Sequence, residues 1–321
     1  MKFLLTLTCL LLLSACDFAC NSGTANGKNS FPVPKMSEDF AYAKIMEYEK
    51  FGSKVPGSSA HKKAGDWVVS ELKSYGFTVL EQLAEVKLPD GKKAPIRNII
   101  GQQPGKQKKR IMLSAHWDNR PHADNDSDKK NHSKPVPGVN DGGSGVAVLL
   151  SIAKAIHESK ITTDFGIDLA FWDTEDGGTH ANPETFCLGS QYWSMNPVPE
   201  NYSAIFGINF DMVGRKGTII PIEAYSMYRA PELISKLKKA AVRIGTQDYF
   251  SDERIGQVVD DHYYVSRGRG FPMIDLIYMT PDGKFSPEWH TLNDTSEFIS
   301  RDVMKAIGQT VLEMIYGKDD A

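Results

Sequence analysis

Two acidic residues, Glu175 and Asp176, stand side by side at the end of the apolar segment FGIDLAFWD. On a regular strand neighbouring side chains point to opposite faces, but this alternation relaxes once the strand has ended. The two carboxylates can then reach one site from slightly different directions. A carboxylate beside a metal ion stays ionised, whereas a free carboxylate beside a substrate can transfer protons. The pair is therefore typical of a site in which one acid binds a metal and its neighbour acts as acid and base.

Other candidate groups share one kind of position, because each follows an apolar, strand-like run or precedes a helix-like one. They are His116 and Asp118 after RIMLSA, Asp141 before GVAVLLSIAKAI, Asp211 at the end of INFD, and His290 beyond DLIYM. In an open α/β sheet, ligands bind beyond the carboxyl ends of the strands, so we expect these groups to meet at one edge. Imidazole and carboxylates suit zinc, which needs three protein ligands and an open position for catalysis. Taken singly, each residue also has a structural explanation, such as helix capping by Asp141.

The elements that would position these residues alternate along the chain. Apolar periodicity predicts helices over 37–52, 59–75, 142–158, 230–244 and 301–316. Strands are predicted at IRNIIG, RIMLSA, FGIDLAFWD, YSAIFGINFDMVG and FPMIDLIYM. Alternating strands and helices favour an α/β fold in which a largely parallel sheet is covered on both faces. The polar segment 119–138 is expected to be a solvated surface loop.

The N-terminal segment MKFLLTLTCLLLLSAC has a lysine, an apolar run and small residues before a cysteine, the pattern of an export signal. It resembles the bacterial lipoprotein cleavage box. We therefore expect a signal peptide over 1–15, a lipid on Cys16, a flexible tether over 16–35 and a single catalytic α/β domain over 36–321. Such a protein would be exported, either periplasmic or anchored to the outer membrane. The alternative is an ordinary signal peptide with an incidental cysteine.

Composition excludes some partners and frameworks. The net charge is only −3 and no basic run is interleaved with aromatics, so nucleic acid is not an expected partner. The four cysteines show no CxxC pattern and predict no disulfide framework. Cys187 is expected to be a small buried residue.

Taken as a set, the candidate residues resemble the zinc aminopeptidase superfamily, whose pattern runs H-x-D, N/D-D, E-E/D, D-M and a late H. The matching segments are His116-Trp117-Asp118, Asn140-Asp141, Glu175-Asp176, Asp211-Met212 and His290. Within that superfamily the chain is more similar to the glutaminyl-peptide cyclotransferases, in the bacterial form akin to the animal enzymes. Three features carry this similarity: the long segment after the acid pair, the stretch Asp260-Asp261-His262 with a downstream RGFP, and Trp289 just before the late histidine.

The resemblance implies a three-layer α/β/α fold with a mixed, largely parallel sheet, like that of the zinc aminopeptidases. It also implies one zinc per chain and conversion of N-terminal glutamine of peptides and proteins to pyroglutamate, with release of ammonia. The implied roles are zinc ligation by Asp141, Asp176 and His290, acid–base catalysis by Glu175, a carboxylate network with Asp211 and Asp260, and pocket walls at Trp289 and Phe285.

Three features leave alternatives open. His116 is implied to be either a hydrogen-bonding neighbour of the ligands or a ligand of a second metal. Asp176 and Asp275 stand where the animal enzymes carry Glu and His, and the tryptophan that those enzymes carry after the acid pair has no clear counterpart in GGTHANPE. The alternative function is a two-zinc aminopeptidase in which Glu175 activates water. A third interpretation is a surface lipoprotein that binds peptides on an inactive scaffold.

Overall fold

A mixed sheet forms the centre of the molecule. The computed structural model describes residues 32–88, 91–105, 107–280 and 282–318, which belong to one compact unit, so the predicted signal peptide and most of the predicted tether lie outside the described residues. The strands in the described residues are β1 Thr78–Lys87, β2 Lys93–Gln102, β3 Lys109–His116, β4 Phe165–Trp172, β5 Phe206–Asp211, β6 Ile220–Ile222, β7 Phe250–Arg254 and β8 Met273–Ile277. The central sheet has the order β1-β2-β4-β3-β5-β8, and β6 and β7 form a separate parallel pair. The three contacts β4–β3, β3–β5 and β5–β8 are parallel, while β1–β2 and β2–β4 are antiparallel.

Helices cover both faces of the sheet. They are α1 Glu38–Glu49, α2 Ser59–Ser74, α3 Gly143–Ser159, α4 Leu188–Met195, α5 Ala224–Arg229, α6 Pro231–Ile244, α7 Asp261–Arg269 and α8 Arg301–Tyr316. Within the part of the chain that the structure describes, no helix is both long and apolar enough to span a membrane. Ser37, Ser58 and Ser300 cap α1, α2 and α8, since each side-chain oxygen accepts a backbone N–H of the first turn.

The core shows why the sheet is buried on both sides. Along β3, Leu113 belongs to a large cluster under α1, α2, α3, α6 and α8, whereas its neighbour Met112 belongs to a second cluster under α4 and α7. On β4, Phe171 belongs to the large cluster and its neighbour Trp172 to the second cluster. Successive side chains of a strand point to opposite faces, so strands with apolar residues at every position need a helical layer on each side. The predicted three-layer α/β/α architecture is confirmed.

The predicted elements match the structure closely, with one main omission. Strand β1 was not predicted from its sequence, TVLEQLAEVK, because it lies at the sheet edge and exposes most of its side chains. The predicted strand YSAIFGINFDMVG is shorter in the structure, where regular pairing covers only β5. The short pair β6–β7 and helix α5 were not predicted either.

The parallel strands bring their carboxyl ends to one edge. His116, at the end of β3, pairs with Trp172 at the end of β4, and Asp211, at the end of β5, pairs with Ile277 at the end of β8. The candidate residues that follow these strands therefore start from neighbouring positions.

Candidate metal centre and active site

Three side chains from separate loops form a buried cluster at this edge. The Nε2 atom of His290 lies 3.0 Å from Oδ1 of Asp176 and 3.5 Å from Oδ2 of Asp141. The ligand atoms of the three residues all lie within 4.8 Å of one another. Oδ2 of Asp141 is buried and has no hydrogen-bond partner in the protein. Two carboxylates and an imidazole with such an oxygen fit a catalytic zinc ion, which takes three protein ligands and keeps one position open.

The charge of the cluster also favours a cation. Burial alone would lower the pKa of His290, but Asp176, Asp124 and Asp141 raise it to about 9. The carboxylates thus hold a proton on the imidazole. A bound metal ion takes the place of that proton, since histidine ligates in its neutral form.

Two buried aspartates outside the cluster fix the backbone beside the ligands. Both oxygens of Asp118 accept backbone N–H groups, at 2.9 Å from Glu175 and 3.2 Å from Asp176. Asp294 accepts in the same way from the N–H of Asn140 at 2.8 Å and of Asp141 at 3.0 Å. Carboxylates from other parts of the chain therefore orient the backbone of Asp141 and of the Glu175–Asp176 pair.

Glu175 lies beside the cluster without belonging to it. One carboxylate oxygen, Oε1, is 3.2 Å from the thiol of Cys187, and the other lies 3.9 Å from Nδ1 of His116. Burial raises the pKa of Glu175 well above its usual range; the nearby charge of His116 opposes this rise, while Asp176 and Asp260 add to it. A raised pKa favours the protonated form of the carboxyl group, which a general acid requires.

A second buried ligand set shares Asp141 with the first. The Nε2 atom of His116 lies 3.0 Å from Oδ1 of Asp141 and 3.3 Å from Oδ1 of Asp211. Burial alone would lower the pKa of His116, but Asp118, Asp141 and Asp211 raise it well above its usual value. Asp211, which was expected in a carboxylate network with Glu175, is in contact with His116.

A chain of buried polar groups extends away from Glu175. A carboxylate oxygen of Asp260 lies within 4.8 Å of a carboxylate oxygen of Glu175 and of the sulfur of Cys187. Burial and the nearby charge of Asp211 raise the pKa of Asp260 to about 6. The amide nitrogen of Asn209 donates to Asp260 at 2.8 Å.

The same series of polar contacts continues from Asn209 to Asp275 on β8 and then to His262 on α7. Asn209 also lies 3.3 Å from Oδ1 of Asp275, and Oδ2 of Asp275 lies 3.3 Å from Nδ1 of His262. The other ring nitrogen of His262 lies 3.3 Å from Glu223, which caps α5. A buried histidine is therefore present near Asp275, but it comes from the DDH stretch and not from position 275.

A cavity of about 300 Å³ opens onto the cluster. Trp289 stacks on His290 with ring centroids 3.7 Å apart, and Phe285 lies 4.2 Å from Trp289. Phe186 and His180 complete the same wall, with the ring of His180 at 5.6 Å from Trp289. The chamber is therefore small, with aromatic walls on one side and the carboxylates of Glu175, Asp211 and Asp260 among its lining residues.

The sequence pattern that defines Peptidase family M28 matches residues 98–315. The chain belongs to this family. As an M28 protein with a candidate Asp–Asp–His ligand set, it has zinc as its expected metal.

Solved structures place this M28 chain near the glutaminyl cyclases, as its sequence predicted. It is 41% identical to the glutaminyl cyclase of Porphyromonas gingivalis, with a TM-score of 0.85 over 87% of this chain and 98% of that one. It is 42% identical to the Bacteroides thetaiotaomicron glutaminyl cyclase crystallised with N-acetylhistamine, with a TM-score of 0.86 over 89% and 100% of the two chains. A Zn-dependent exopeptidase from Parabacteroides distasonis is equally similar, at 42% identity and a TM-score of 0.85 over 88% and 99%.

A more distant relative extends well beyond the matched region. Leupeptin-inactivating enzyme 1 of Streptomyces exfoliatus is 25% identical over 185 residues, which are 57% of this chain. The match spans 36% of that enzyme's own length.

The segment 119–138 takes a larger part in the site of this M28 protein than expected. Asn119 and Arg120 are buried, and the guanidinium of Arg120 holds Asp124 at 2.8 and 2.6 Å. Arg120 also donates to the backbone carbonyl of Asp176 at 2.9 Å, and Asp124 lies 3.6 Å from Nδ1 of His290. The expectation of a solvated loop is therefore wrong for the first residues of the segment, because they support two candidate ligands.

Other residues of the site were missed for lack of a local signal. Asn209 lies inside an apolar strand, and Glu223 precedes a helix that was not predicted. His180 and Phe186 come from the segment after the acid pair, in which no wall residue had been identified. The thiol of Cys187 is buried, as expected, but it also contacts Glu175.

Proposed function

We propose that this protein is a zinc-dependent glutaminyl-peptide cyclotransferase, an acyltransferase that converts N-terminal glutamine of peptides and proteins to pyroglutamate and releases ammonia. The observation that carries the proposal is the 41% identity to a glutaminyl cyclase over 98% of that enzyme's chain, at a TM-score of 0.85. The small chamber beside the Asp–Asp–His cluster supports it, because a glutamine side chain folded back on its own amine is compact.

In the proposed site Asp141, Asp176 and His290 would hold a single zinc ion. Zinc bound there supplies a Lewis acid that polarises the side-chain amide carbonyl of the glutamine. In this proposal His116 is a neighbour of the ligands: its Nε2 atom is hydrogen-bonded to Asp141 and lies 3.3 Å from Asp211. The proposal of one metal follows the resemblance to the glutaminyl cyclases, because His116, Asp141 and Asp211 form a set that could also hold a second ion.

Glu175 carries the proton in the proposed reaction. Its carboxylate accepts a proton from the α-amine as the amine nitrogen bonds to the amide carbon. It then gives a proton to the departing amide nitrogen, the carbon–nitrogen bond breaks and ammonia leaves. Asp260, close to Glu175, adds negative charge that favours the protonated form of that carboxyl group, and Asp211 acts on Asp260 in the same sense.

Trp289 and Phe285 hold the substrate in the folded conformation. Their rings form one wall of the chamber and cover one side of His290. Orienting the amine against its own side chain makes the attack intramolecular, a source of several kcal/mol of catalysis. The apolar wall also keeps water from competing with the amine.

We further propose that the protein is exported and that a lipid on Cys16 attaches it to a membrane, with peptides and proteins as partners and no nucleic acid. The composition of the N-terminal segment supports this. Labelled fatty acid should be incorporated into the wild-type chain and not into Cys16→Ser. Incorporation into both would contradict the anchor.

Two peptides and a metal analysis test the proposed activity. Purified protein is incubated with Gln-Ala and Leu-Ala peptides, ammonia and free amino acids are measured, and zinc is counted per chain. Ammonia from the glutamine peptide, no free leucine and one zinc per chain are the expected results. Free leucine with two zinc ions would establish an aminopeptidase, which the shared ligand set of His116, Asp141 and Asp211 favours as the second candidate. Absence of zinc and of both products would favour a peptide-binding protein.

A further inference from the structure

A groove of aromatic and basic side chains borders the active-site chamber. It has a volume of about 390 Å³ and is lined by Tyr225, Tyr228, Arg229, Gln257, Tyr263 and Arg267. Gln257 lines both this groove and the chamber. A substrate chain that leaves the chamber past Gln257 would therefore reach the groove.

The groove carries positive charge without a balancing acid. Two of its lining residues, Arg229 and Arg267, are cationic and none is acidic. Among the residues that the structure describes, neither arginine has a carboxylate within salt-bridge distance. The planar set of donors of a guanidinium matches a carboxylate, so this pair is suited to receive a carboxylate from another molecule.

Both guanidinium groups are held in place by neutral partners. Nη1 of Arg267 donates to the hydroxyl of Tyr263 at 2.7 Å, and the guanidinium lies 5.7 Å from the centre of the same ring. Nε of Arg229 contacts the hydroxyl of Ser266 at 3.4 Å. Each contact uses one N–H, so most of the donors of each guanidinium remain available for an incoming carboxylate.

The aromatic side chains supply the rest of a peptide-binding surface. Tyr225 and Tyr263 pack edge to face with centroids 4.8 Å apart, while Tyr228 leaves 80% of its surface exposed. Tyrosine and arginine are the residue types most enriched where proteins bind peptides and other proteins, because they combine rigid apolar area with hydrogen bonding.

We propose that this groove binds the part of the substrate chain that follows the N-terminal glutamine and selects acidic side chains there. The inference rests on the proposed function, since it identifies the class of peptide that the same site prefers. The occupant is the substrate itself, because the groove adjoins the chamber at Gln257 and its two arginines, which have no salt-bridge partner among the described residues, complement a carboxylate.

A scanning set of peptides tests the proposal. All begin with Gln-Ala, and a single glutamate is moved through positions 3 to 6 of an otherwise alanine sequence, because an extended chain advances about 3.3 Å per residue. A matching set carries lysine instead, and an all-alanine peptide is the reference. The measured quantity is the ratio of kcat/KM for the glutamate peptide to that for the alanine peptide, so that differences in the amount of active enzyme cancel.

The proteins compared are wild type, Arg229→Gln, Arg267→Gln and the double variant. Arg254→Gln is the matched control, because it removes the same charge from an exposed residue of β7 that does not line the groove. We expect glutamate at one or two positions to raise kcat/KM about two- to fivefold for each arginine engaged, the range of exposed ion pairs. The gain should fall in each single variant, disappear in the double variant and persist in Arg254→Gln.

Two results would overturn the inference alone. One is cyclisation of all peptides with the same kcat/KM whether the chain carries glutamate, alanine or lysine. The other is an equal loss of preference in Arg254→Gln, which would assign the effect to overall charge and not to the groove. Failure of the protein to cyclise any of the peptides would instead refute the proposed function, and the inference with it.

Discussion

Asp118 should hold the backbone of both adjacent acids, Glu175 and Asp176, in position. Its side chain is fully buried, and its two oxygens accept the backbone N–H groups of Glu175 and Asp176 at 2.9 and 3.2 Å. Asp118→Asn keeps the shape of the side chain but replaces one acceptor oxygen with an NH₂ donor. Whichever way the amide turns, one of the two backbone N–H groups faces another donor and stays unsatisfied.

The cost follows from these two hydrogen bonds. Leaving a buried N–H without an acceptor costs about 1–3 kcal/mol, and replacing the remaining charged acceptor with a neutral one costs about 1 kcal/mol more. A total of about 3 kcal/mol should lower the melting temperature by roughly 5 °C in a domain of this size. Shifting the acid pair should also weaken zinc binding by about 10–100-fold, as other changes next to metal ligands do. A displacement of Glu175 by about 1 Å would lower kcat/KM by about 10²-fold.

The assay separates lost stability from lost geometry. Thermal unfolding, zinc affinity by chelator competition and kcat/KM for a Gln-Ala peptide are measured on Asp118→Asn and on Asp168→Asn. Asp168 is also fully buried, and it accepts hydrogen bonds from Arg110 and Tyr202 at 2.9 Å, away from the candidate ligands. The control should lose stability and keep its zinc affinity. Zinc affinity and kcat/KM within twofold of wild type in Asp118→Asn would refute the positioning role, even if the melting temperature fell.

Three further changes probe the same site and its surroundings. Glu175→Gln should bind zinc like wild type and lose about 10²–10⁴-fold in kcat, and a variant that retained more than about a tenth of the rate would contradict acid–base catalysis. Cys187→Ala removes the thiol that lies 3.2 Å from Glu175 and should lower kcat about two- to tenfold. Cys187→Ser keeps a hydrogen-bond donor at this position and should retain most of the wild-type rate. Equal rates in the two variants would argue against a hydrogen-bonding role of the thiol. Burial opposes ionisation of Glu223, but contacts with His262 lower its pKa from 4.5 to about 2. The lowered pKa of Glu223 stabilises the fold by about 3 kcal/mol above pH 5. The unfolding free energies of wild type and Glu223→Gln are measured on zinc-free protein. Their difference should shrink as the pH falls from 5 towards 2.

The sequence predicts the framework well because the signals for it are local. The apolar run of α3 and the uninterrupted apolar stretches of β3 and β4 identify buried elements directly. Where strands run parallel, their carboxyl ends must share an edge, and this brings His116 and Asp211 together without further information. Strand β1 escapes prediction because its side chains are mostly exposed and it has no run of buried positions.

The supporting residues of the site could not be predicted because their partners are distant in the chain. Asp294 orients Asp141 from 153 residues away, and Asn209 joins Asp260 to Asp275 from inside an apolar strand. Arg120 looks like an ordinary charge of a polar loop until its contact with the backbone of Asp176 is known. The residue type indicates which chemistry a side chain can perform, whereas the fold determines which groups that side chain contacts.

The backbone beside the acid pair shows the same dependence on distant contacts. Thr174, which follows β4 and precedes Glu175, has a φ of 53°, in a left-handed region that a β-branched residue rarely adopts. Such a conformation costs about 1–3 kcal/mol and persists only where the surroundings impose it. Here the N–H of Leu188 donates to the carbonyl of Thr174 at 3.0 Å, and Asp118 binds the two following N–H groups from 57 residues away along the chain. This turn ends the alternation of the strand and lets two consecutive carboxylates approach the same chamber. The separation of their roles therefore rests on Asp118 and Leu188 holding the turn, and not on any preference of the segment itself.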